Sequence, residues 1–565
     1  MPQGEGVAVE LPTIVLNVKD LERLIGFPIE KEALQETLSS LKCEPETVTN
    51  DEITVEVTSD RPDLFSAEGI ARGIRYYRSR GSVYDVKYSK LAPLKLHVEQ
   101  PTSKVRPYIV AAAIRGISLD EEGMKQIMQL QEKLHTTYAS NRKKASIGVY
   151  DLDTVTPDFT YTAPPPEEIS FVPLESSEEM NGRRILADTQ KGREYGWIIS
   201  GYDRYPLLLD SRRKVLSMPP IINSEATKIT EKTRNLLIDV TGTEEKAINT
   251  CLNIIATSIL ERGGSLQQVY VVYKQRTDKT PKLEKTKKRL PYSAVATVSG
   301  LDLTPREVSS LLSRMGLQSE AVGRDALEVT IPPYRLDILH EVDLVEDIVM
   351  AYGLNRMVPE LPQVVTMGRP LTGSRLRSRI RDLMVGMGFQ EVTTYILSSR
   401  EVLEEKPLMH TRPLVEIIRP VSSEFSVLRD ALMPKLLQFL GNNTHYSYPQ
   451  KVFEYGDVVR VEKGMPPTSP HLSVAISNHK VSFEEIQAVA VALFKNLSKE
   501  VSFEPYTAEP FIQGRAAKII MDGKYIGTIG EISPQVLVNF GMTCPVGAME
   551  CDLSSLAHLE SLFRG

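Results

Sequence analysis

Four carboxylates lie close together late in the chain: Asp337, Asp343, Glu346 and Asp347. If residues 337–352 form one helix, Asp343 and Asp347 are four apart and Glu346 is three from Asp343, so these three share a face. Like charges at that spacing cost a helix a few tenths of a kcal/mol per pair, roughly, unless something neutralises them. Mg²⁺ would do so, because it takes hard oxygen ligands, keeps part of its water shell and is readily shared with a second surface. A solvated acidic face, with Asp337 capping the helix, accounts for the same residues without any ion. Pattern alone leaves both accounts open.

The element that carries these acids occurs twice. Residues 26–75 align with residues 300–349 at a constant offset of 274, without a gap. Gly26 falls on Gly300, Leu34 on Val308, Leu38 on Leu312, Leu41 on Met315, Val55 on Val329 and Val57 on Ile331. Arg61, Asp63 and Leu64 fall on Arg335, Asp337 and Ile338, and Ile70, Ala71 and Ile74 on Leu344, Val345 and Ile348. Apolar positions match while surface positions diverge, as two modules with one core should. The second copy has Glu341, Asp343, Glu346 and Asp347 where the first has Ala67, Gly69, Arg72 and Gly73. Asp337, matched by Asp63, belongs to the shared scaffold; the other acids are peculiar to copy two.

The patterning predicts the elements that position them. In copy one (residues 1–85), Asn17 caps KDLERLI, EKEALQETLSSL makes a second helix, EITVEVTS alternates as a strand, and SDRPDLFSAEGIARGIRYYRSRG reads as a helix closed by Gly81. In copy two (residues 285–357), Thr304, Pro305 and Glu307 form a capping box with proline at the first helical position, and Leu303 and Val308 supply the staple. Val308, Leu311, Leu312 and Met315 make its buried stripe, and Gly316 ends it. ALEVTI follows as a strand, then the helix 337–352 with Ile338, Val342, Val345, Val349 and Tyr352 on one side. Two helices and a β element in this order predict a helix-turn-helix or winged-helix-like unit.

Residues 90–275 read as a separate β-rich domain, with strands at KLHVEQ, YIVAAAIRGI, YGWIISGY, YPLLLDS and VYVVY and helices at 121–138 and 243–262. RTDKTPKLEKTKKR, at 276–289, holds seven basic and two acidic residues and is either a solvated linker or a strip that contacts phosphates. Residues 365–565 read as a larger α+β domain. It has an arginine-studded helix, strands at EVTTYIL, KVFEYGDVVRVE and HLSVAIS, a helix over 483–497, a hairpin turning at Asp522 and Gly523, and a short helix at SPQVLVNFG. The whole is a multidomain α+β chain.

Bulk properties narrow the function classes. A chain of 565 residues is too long for one core. A net charge of −6 gives no global field that would hold a polyanion. Cys43, Cys251, Cys544 and Cys551 show no CxxC spacing, which speaks for a reducing compartment and against structural zinc. The N-terminal stretch has no basic region followed by an apolar one, and no apolar run reaches the ~18 residues of a membrane span. A cytoplasmic chain without membrane contact is expected.

Several long segments carry a resemblance. IPPYRLDILHEVDLVEDIVMAYGLNRMVPELP and TSDRPDLFSAEGIARGI resemble paired elements of the β-subunit family of phenylalanyl-tRNA synthetases. IIRPVSSEFSVLRDALMPKLLQFLGNN and YIGTIGEISPQVLVNFG resemble that family's C-terminal synthetase-like domain, and PPIINSEAT and ASIGVYDLDTV its middle domain. The likeness spans essentially the whole chain. Length and start resemble the archaeal and eukaryotic form, without the N-terminal oligonucleotide-binding insert and C-terminal anticodon-binding domain of bacterial relatives.

The resemblance implies a ligase that charges tRNA(Phe) with phenylalanine, with ATP as substrate of the complex, a catalytic α subunit as partner and an α₂β₂ heterotetramer. It places a Mg²⁺ shared with the α subunit on Asp337, Asp343, Glu346 and Asp347, the last being Asp where the family often has Glu. It also implies that the C-terminal domain is an antiparallel class II synthetase fold. Class II enzymes hold ATP through arginines on an FRxE-type strand and near the domain's end. Here KVFEYG has no arginine between Phe453 and Glu454, and VGAMECDLSSL has none. Without those cations the triphosphate has no partner, so the domain is expected to be non-catalytic. Leu376, Ile380, Leu383 and Met387, on the helix over 374–387, belong either to its core or to the α-subunit interface.

For the β-rich domain the resemblance implies editing, the hydrolysis of tRNA mischarged with tyrosine. An apolar pocket built for phenylalanine rejects an isostere with one added hydroxyl by only ~10². An editing site must therefore present polar groups that phenylalanine leaves unpaired. Gln131, Ser217, Asn223, Asp239 and Thr241 are the candidates, although Ser, Asn, Asp and Thr are also ordinary turn and cap residues. No Ser-His-Asp or Cys-His constellation is evident, so a positioned water is expected to do the hydrolysis. Two other classes compete. A non-enzymatic nucleic-acid-binding protein with paired helix-turn-helix modules would need a basic recognition helix, whereas 337–352 is acidic. A stand-alone tRNA-editing hydrolase would leave the C-terminal domain and the acidic cluster without a purpose.

Overall fold

The computed structural model describes residues 12–81, 84–361, 366–409, 413–461 and 466–557. The chain divides into two compact units, one within Val9–Leu361 and one within Pro362–Gly565. Of the N-terminal stretch read for targeting signals, residues 1–18, the first eleven lie outside the described residues.

In copy one, β1 (Thr13–Asn17), α1 (Val18–Ile25), α2 (Lys31–Ser39), β2 (Cys43–Val48), β3 (Glu52–Val57) and α3 (Ala67–Tyr77) follow in order, and the strands pair antiparallel as β1-β3-β2. The module thus has more sheet than the expected two helices and one β element. β1 escapes a period-two reading because Val15, between the buried Ile14 and Leu16, is itself apolar, and β2 because it is largely exposed. Asn17 caps α1 as expected, its side chain accepting from Asp20 N.

The unit continues through β4 (Leu94–Val98), β5 (Tyr108–Arg115), α4 (Glu121–Thr136), β6 (Ala145–Asp151), β7 (Phe159–Thr162), β8 (Ser170–Phe171), β9 (Met180–Asn181), α5 (Gly182–Asp188), α6 (Gln190–Tyr195), β10 (Leu207–Leu209), β11 (Val215–Met218), β12 (Ile222–Asn223), β13 (Asn235–Gly242), α7 (Glu245–Ile259), β14 (Ser265–Val272) and β15 (Thr277–Thr280). Ten strands form one sheet, ordered β12-β11-β10-β7-β4-β14-β5-β13-β6, with β15 paired to β14. β6 is therefore an edge strand. α4 and α7 cover one face, burying Ile127, Leu130 and Leu134 of α4 and Ile248, Leu252 and Ile255 of α7. The expected strand YGWIISGY is instead the end of α6 and a following 3₁₀ turn. Tyr195 and Ile199 are buried there at helical rather than alternating spacing.

Copy two consists of β16 (Thr286–Pro291), α8 (Tyr292–Ser299), α9 (Pro305–Arg314), β17 (Gln318–Val322), β18 (Ala326–Ile331) and α10 (Glu341–Tyr352), with sheet order β16-β18-β17. Its elements repeat those of copy one nearly to the residue at the same offset. Gly26 and Gly300 both end the first helix at positive φ, 82° and 71°. The capping box at Thr304 and Glu307 is present. The basic stretch 276–289 is not a linker, since it supplies β15 and most of β16. Its charge pattern hid this because only Leu290 of β16 is buried, while Thr286, Lys287 and Arg289 are exposed and Lys288 half-buried.

The copies pack on each other through equivalent positions. Arg72 of copy one stacks over Tyr334 of copy two, 3.8 Å from the ring centre. Glu346, at Arg72's repeat position, reaches back to Lys42 at 3.0 Å, and Lys42 also holds Asp60, the repeat equivalent of Tyr334, at 2.8 Å. Such a mutual contact is the isologous kind that two-fold partners make.

The second unit comprises α11 (Thr372–Gly386), β19 (Gln390–Glu391), β20 (Leu397–Ser398), β21 (Val427–Leu428), α12 (Met433–Asn442), β22 (Gln450–Val459), β23 (Thr468–Ser477), α13 (Phe483–Asn496), β24 (Val501–Pro505), β25 (Phe511–Met521), β26 (Lys524–Ile532), α14 (Pro534–Asn539), β27 (Val546–Asp552) and α15 (Ser554–Ala557). Seven strands run β19-β22-β23-β27-β26-β25-β24, antiparallel except where β19 meets β22. α11 and α13 pack on one face and α12 and α14 on the other. Leu376 and Ile380 are buried, with Leu383 and Met387 half-buried against the same cluster, so this stripe belongs to the core. The hairpin turns at Asp522 and Gly523, both at positive φ as a tight two-residue turn requires. No helix among the described residues is long and apolar enough to cross a membrane.

Candidate functional site

The four acids of copy two do four different things. Arg335 Nε and Nη2 donate to the two oxygens of Asp337 at 2.9 and 2.7 Å, as Arg61 does to Asp63 at 2.9 Å twice. The scaffold role of Asp337 is thus this guanidinium pair and not a helix cap, because α10 begins only at Glu341. Burial opposes the charge on Asp337, but Arg335 and then Arg61 hold its carboxyl well below the usual carboxylate range. Asp347 is buried and takes a hydrogen bond from Arg335 Nη2 at 2.8 Å. Burial raises its pKa against the pull of the two arginines. Asp343 is the cap: its Oδ2 accepts from the backbone N–H of Leu339 and His340 at 2.7 and 2.6 Å. Glu346 is exposed and reaches Lys42.

Asp343, Glu346 and Asp347 therefore do not present one common face. Asp337 and Asp347 share an arginine in the interior, where that guanidinium supplies the positive charge a metal would bring. Among the described residues no group of three or more His, Cys, Asp or Glu side chains is gathered to hold a metal ion. As arranged, the four carboxylates do not fit a Mg²⁺ cage within this chain.

A cavity of about 610 Å³ opens beside the edge strand β6. Much of its wall is apolar, from Met124 and Met128 of α4, Ile147 and Val149 of β6, and Pro219 to Ile222 around the β11–β12 turn. Four of the five polar candidates line it: Gln131, Ser217, Asn223 and Asp239. Gln131 donates to Ile147 O at 2.7 Å and Asn223 to Val149 O at 3.4 Å, so both satisfy carbonyls of the unpaired β6 edge. Ser217 and Asp239 meet on the phenol of Tyr150, whose oxygen lies 2.7 Å from Ser217 Oγ and 2.5 Å from Asp239 Oδ1. Burial pushes the Asp239 carboxyl up to about 7, against the hydrogen bond from Tyr150 and the charge of Arg106. The same burial, with Asp239 beside it, raises the Tyr150 phenol well above its ordinary value.

Thr241, the fifth candidate, does not join them. It lies two residues beyond Asp239 on β13, but its Oγ1 accepts from the buried Arg106 Nε at 2.9 Å. That guanidinium also takes the carbonyls of Arg142 and Thr241 and covers the position.

A second polar group in the cavity wall went unread in the sequence. Arg142, at φ 65°, stacks on Tyr195 at 4.2 Å and donates to the carbonyls of Pro220 and Ile221 and to Glu132 Oε2 at 3.1 Å. Lys191 lies 3.7 Å from the other Glu132 oxygen. His135 accepts from Ile147 N at 2.8 Å through Nε2, which puts its proton on Nδ1, 3.7 Å from Glu132. Burial pushes this imidazole down to about 4, and His135 with Arg142 and Lys191 holds the Glu132 carboxyl far below its usual range. Because Nε2 is engaged, His135 cannot act as base for Ser217, and no nucleophile–base pair exists in the cavity among the described residues. The signal for Tyr150 was the ASIGVYDLDTV segment. That for Arg142 was only a basic run, Arg142 to Lys144, ahead of the same segment.

Comparison with known proteins bears on the whole chain. Residues 133–278 match the B3/4 domain, 288–354 the tRNA synthetase B5 domain, and 358–553 the phenylalanyl tRNA synthetase beta chain CLM domain. The phenylalanine–tRNA ligase beta subunit of Pyrococcus furiosus is 39% identical over 558 residues, covering 97% of this chain and all of that protein. Its counterpart from Archaeoglobus fulgidus is 37% identical, covering 96% of this chain and 98% of that protein. The crystal structure of an N-terminal fragment of the Pyrococcus horikoshii phenylalanyl-tRNA synthetase beta subunit superposes with a TM-score of 0.58 at 38% identity, covering 60% of this chain and all of that one.

Proposed function

The chain belongs to the family of phenylalanine–tRNA ligase beta subunits, class II aminoacyl-tRNA synthetase components, and on that premise we propose that the cavity beside β6 is a hydrolytic editing site for tRNA(Phe) mischarged with tyrosine. The observation that carries this is the pair Ser217 and Asp239, buried in the wall of a largely apolar cavity. An aromatic ring fits the apolar lining. A para hydroxyl meets the polar pair, and phenylalanine would leave that pair unpaired at a cost of about 1–3 kcal/mol.

The chemistry is ester hydrolysis. Water adds to the aminoacyl carbonyl, the bond to the tRNA terminal ribose oxygen breaks, and that oxygen leaves with a proton as a hydroxyl. With no nucleophilic side chain paired to a base, water is the nucleophile and the chain contributes orientation. Gln131 and Asn223 hold the β6 edge in place, and Arg142 holds the Pro220–Ile221 turn against it. Asp239→Asn should lower deacylation of Tyr-tRNA(Phe) by the assembled enzyme about 10- to 100-fold while Phe-tRNA(Phe) synthesis persists. Undiminished Tyr-tRNA(Phe) deacylation would remove the site.

We further infer that synthesis itself belongs to an α subunit, with ATP as substrate of the complex, in an α₂β₂ assembly. On β22, Glu454 is held by the buried Arg429 at 2.6 Å. On β27, Glu550 takes His471 at 2.7 Å and the N–H groups of Leu432 and Met433. Both strands thus offer charge already paired within the domain, where class II chemistry needs arginines free to meet a triphosphate. The seven-stranded antiparallel sheet supports a class II synthetase-like reading of this unit. The strand–helix–helix–strand–strand–helix order supports a winged-helix-like reading of both repeat copies. Purified chain without its partner should form no Phe-tRNA(Phe), and should regain synthesis on addition of the α subunit.

A further inference from the structure

We infer that Tyr150 is a positioning residue of the β6 cavity: its phenol pins Oδ1 of Asp239 and Oγ of Ser217, so that Oδ2 of Asp239 is the oxygen presented to a ligand hydroxyl. This rests on the editing assignment of the cavity and adds to it the group that aims the recognising carboxylate.

The geometry leaves little latitude. Tyr150 is fully buried, and its oxygen lies 2.7 Å from Ser217 and 2.5 Å from Asp239. One phenol has one proton. With Asp239 ionised, Tyr150 donates to Oδ1 and accepts from the Ser217 hydroxyl, which fixes both rotors. Oδ2 takes no hydrogen bond from the described residues, and Asp239 lines the cavity. At this end of the cavity a carboxylate with one oxygen engaged recognises a donor, such as a phenolic O–H, and offers nothing to an unsubstituted ring.

The backbone across the sheet is built around this contact. Gly148 lies opposite Asp239 on β6, and a Cβ there would sit 2.0 Å from the Tyr150 oxygen and 2.4 Å from Asp239 Oδ1. Any side chain at 148 would displace the hydrogen bond. The remaining charged or titratable groups facing Asp239 are Arg106, before β5, and Tyr161, on β7. Glu132, Arg142 and Lys191 line the cavity around the α4 side.

The test uses the assembled ligase with full-length chain, measuring deacylation of Tyr-tRNA(Phe) and Phe-tRNA(Phe) across pH. Tyr150→Phe keeps the ring and removes the donor. It should lower kcat/KM for Tyr-tRNA(Phe) about 10- to 100-fold and move the acid limb of its pH profile upward, because ionised Asp239 loses a stabilising bond. Replacing Tyr150 by difluorotyrosine, a stronger donor with nearly the same shape, should move that limb the opposite way. Opposed shifts are not produced by a structural role. If wild-type enzyme fails to deacylate Tyr-tRNA(Phe), the editing assignment itself falls. If wild type is active but the limb stays put in the fluorinated enzyme, or Tyr150→Phe matches wild type in rate and profile, the positioning role is overturned. Should Tyr150→Phe not fold, the fluorinated enzyme alone decides, by the presence or absence of its downward shift.

Discussion

Arg335 draws Asp347 inward: its Nη2 donates across 2.8 Å to an acid that helical spacing alone would group with the exposed Glu346. The same guanidinium binds Asp337. One buried guanidinium thus bridges two carboxylates, with Arg61 adding its charge, and the apparent acidic patch separates into an interior pair and surface residues with unrelated duties.

Stability should follow that division. Arg335→Met strands two buried carboxylates and is expected to cost about 3–5 kcal/mol. Glu346→Ala, at an exposed pair with Lys42, should cost less than about 1 kcal/mol. Urea unfolding of the two variants decides this, and equal losses would contradict the division.

Thr241 and Asp239 are neighbours on one strand with separate roles. Thr241→Val leaves Arg106 Nε without its acceptor and should destabilise the chain by about 1–3 kcal/mol. The ratio of Tyr-tRNA(Phe) to Phe-tRNA(Phe) deacylation should be unchanged. A specificity change with intact stability would return Thr241 to the cavity.

His471 makes the second unit sensitive to base. Burial opposes its charge, but Asp552 and Glu550 outweigh burial and push its pKa up to about 9, from an ordinary 6.5. Arg460 is the other charged neighbour, 3.4 Å from Nε2. Because the folded state holds this proton more tightly, the stabilisation is fully present below pH 6.5 and is lost as pH rises through about 9. In His471→Gln the urea midpoint should be flatter over that window. A histidine NMR titration of the full chain centred near 6.5 would refute the shift.

Two glycines separate backbone strain from packing. Gly300 and Gly316 both sit at positive φ, but a Cβ at 300 meets nothing within 4 Å while one at 316 lies 2.8 Å from the Tyr76 ring of the other copy. Gly300→Ala should cost about 1–2 kcal/mol from the left-handed backbone alone. Gly316→Ala should cost clearly more, and equal thermal shifts would mean that Tyr76 moves aside freely.

What could be read from the sequence was local or periodic. The box at Thr304 and Glu307, the cap at Asn17 and the turn at Asp522 and Gly523 involve neighbours in the chain, and each is present. The repeat was legible because two copies of one core must keep apolar residues in register, as Leu34 and Val308 or Leu38 and Leu312 do. The edge strand made of Lys287, Lys288 and Arg289 was not legible, since a strand with a single buried side chain has no period to detect. Four of the five polar candidates line the cavity, and three of these, Ser217, Asn223 and Asp239, stand out as polar residues in apolar or turn-rich stretches. Thr241 met the same criterion and failed, because Arg106, 135 residues away, decides its use. Tyr150 depends likewise on Asp239, 89 residues distant. The resemblance located the acids, yet their roles were set by a guanidinium that no carboxylate spacing reveals.

The mutual packing of the two copies has a consequence for how the first unit holds together. Joined in one chain, the copies meet at a fixed effective concentration, so dilution does not separate them. The two halves of their contact nevertheless respond to different agents. Lys42 and Glu346 form a partly solvated ion pair that salt screens, whereas Arg72 on Tyr334 is buried and largely insensitive to it. Raising ionic strength therefore weakens the Lys42–Glu346 side alone, while Arg72 on Tyr334 and Arg314 on Tyr77 keep the copies joined.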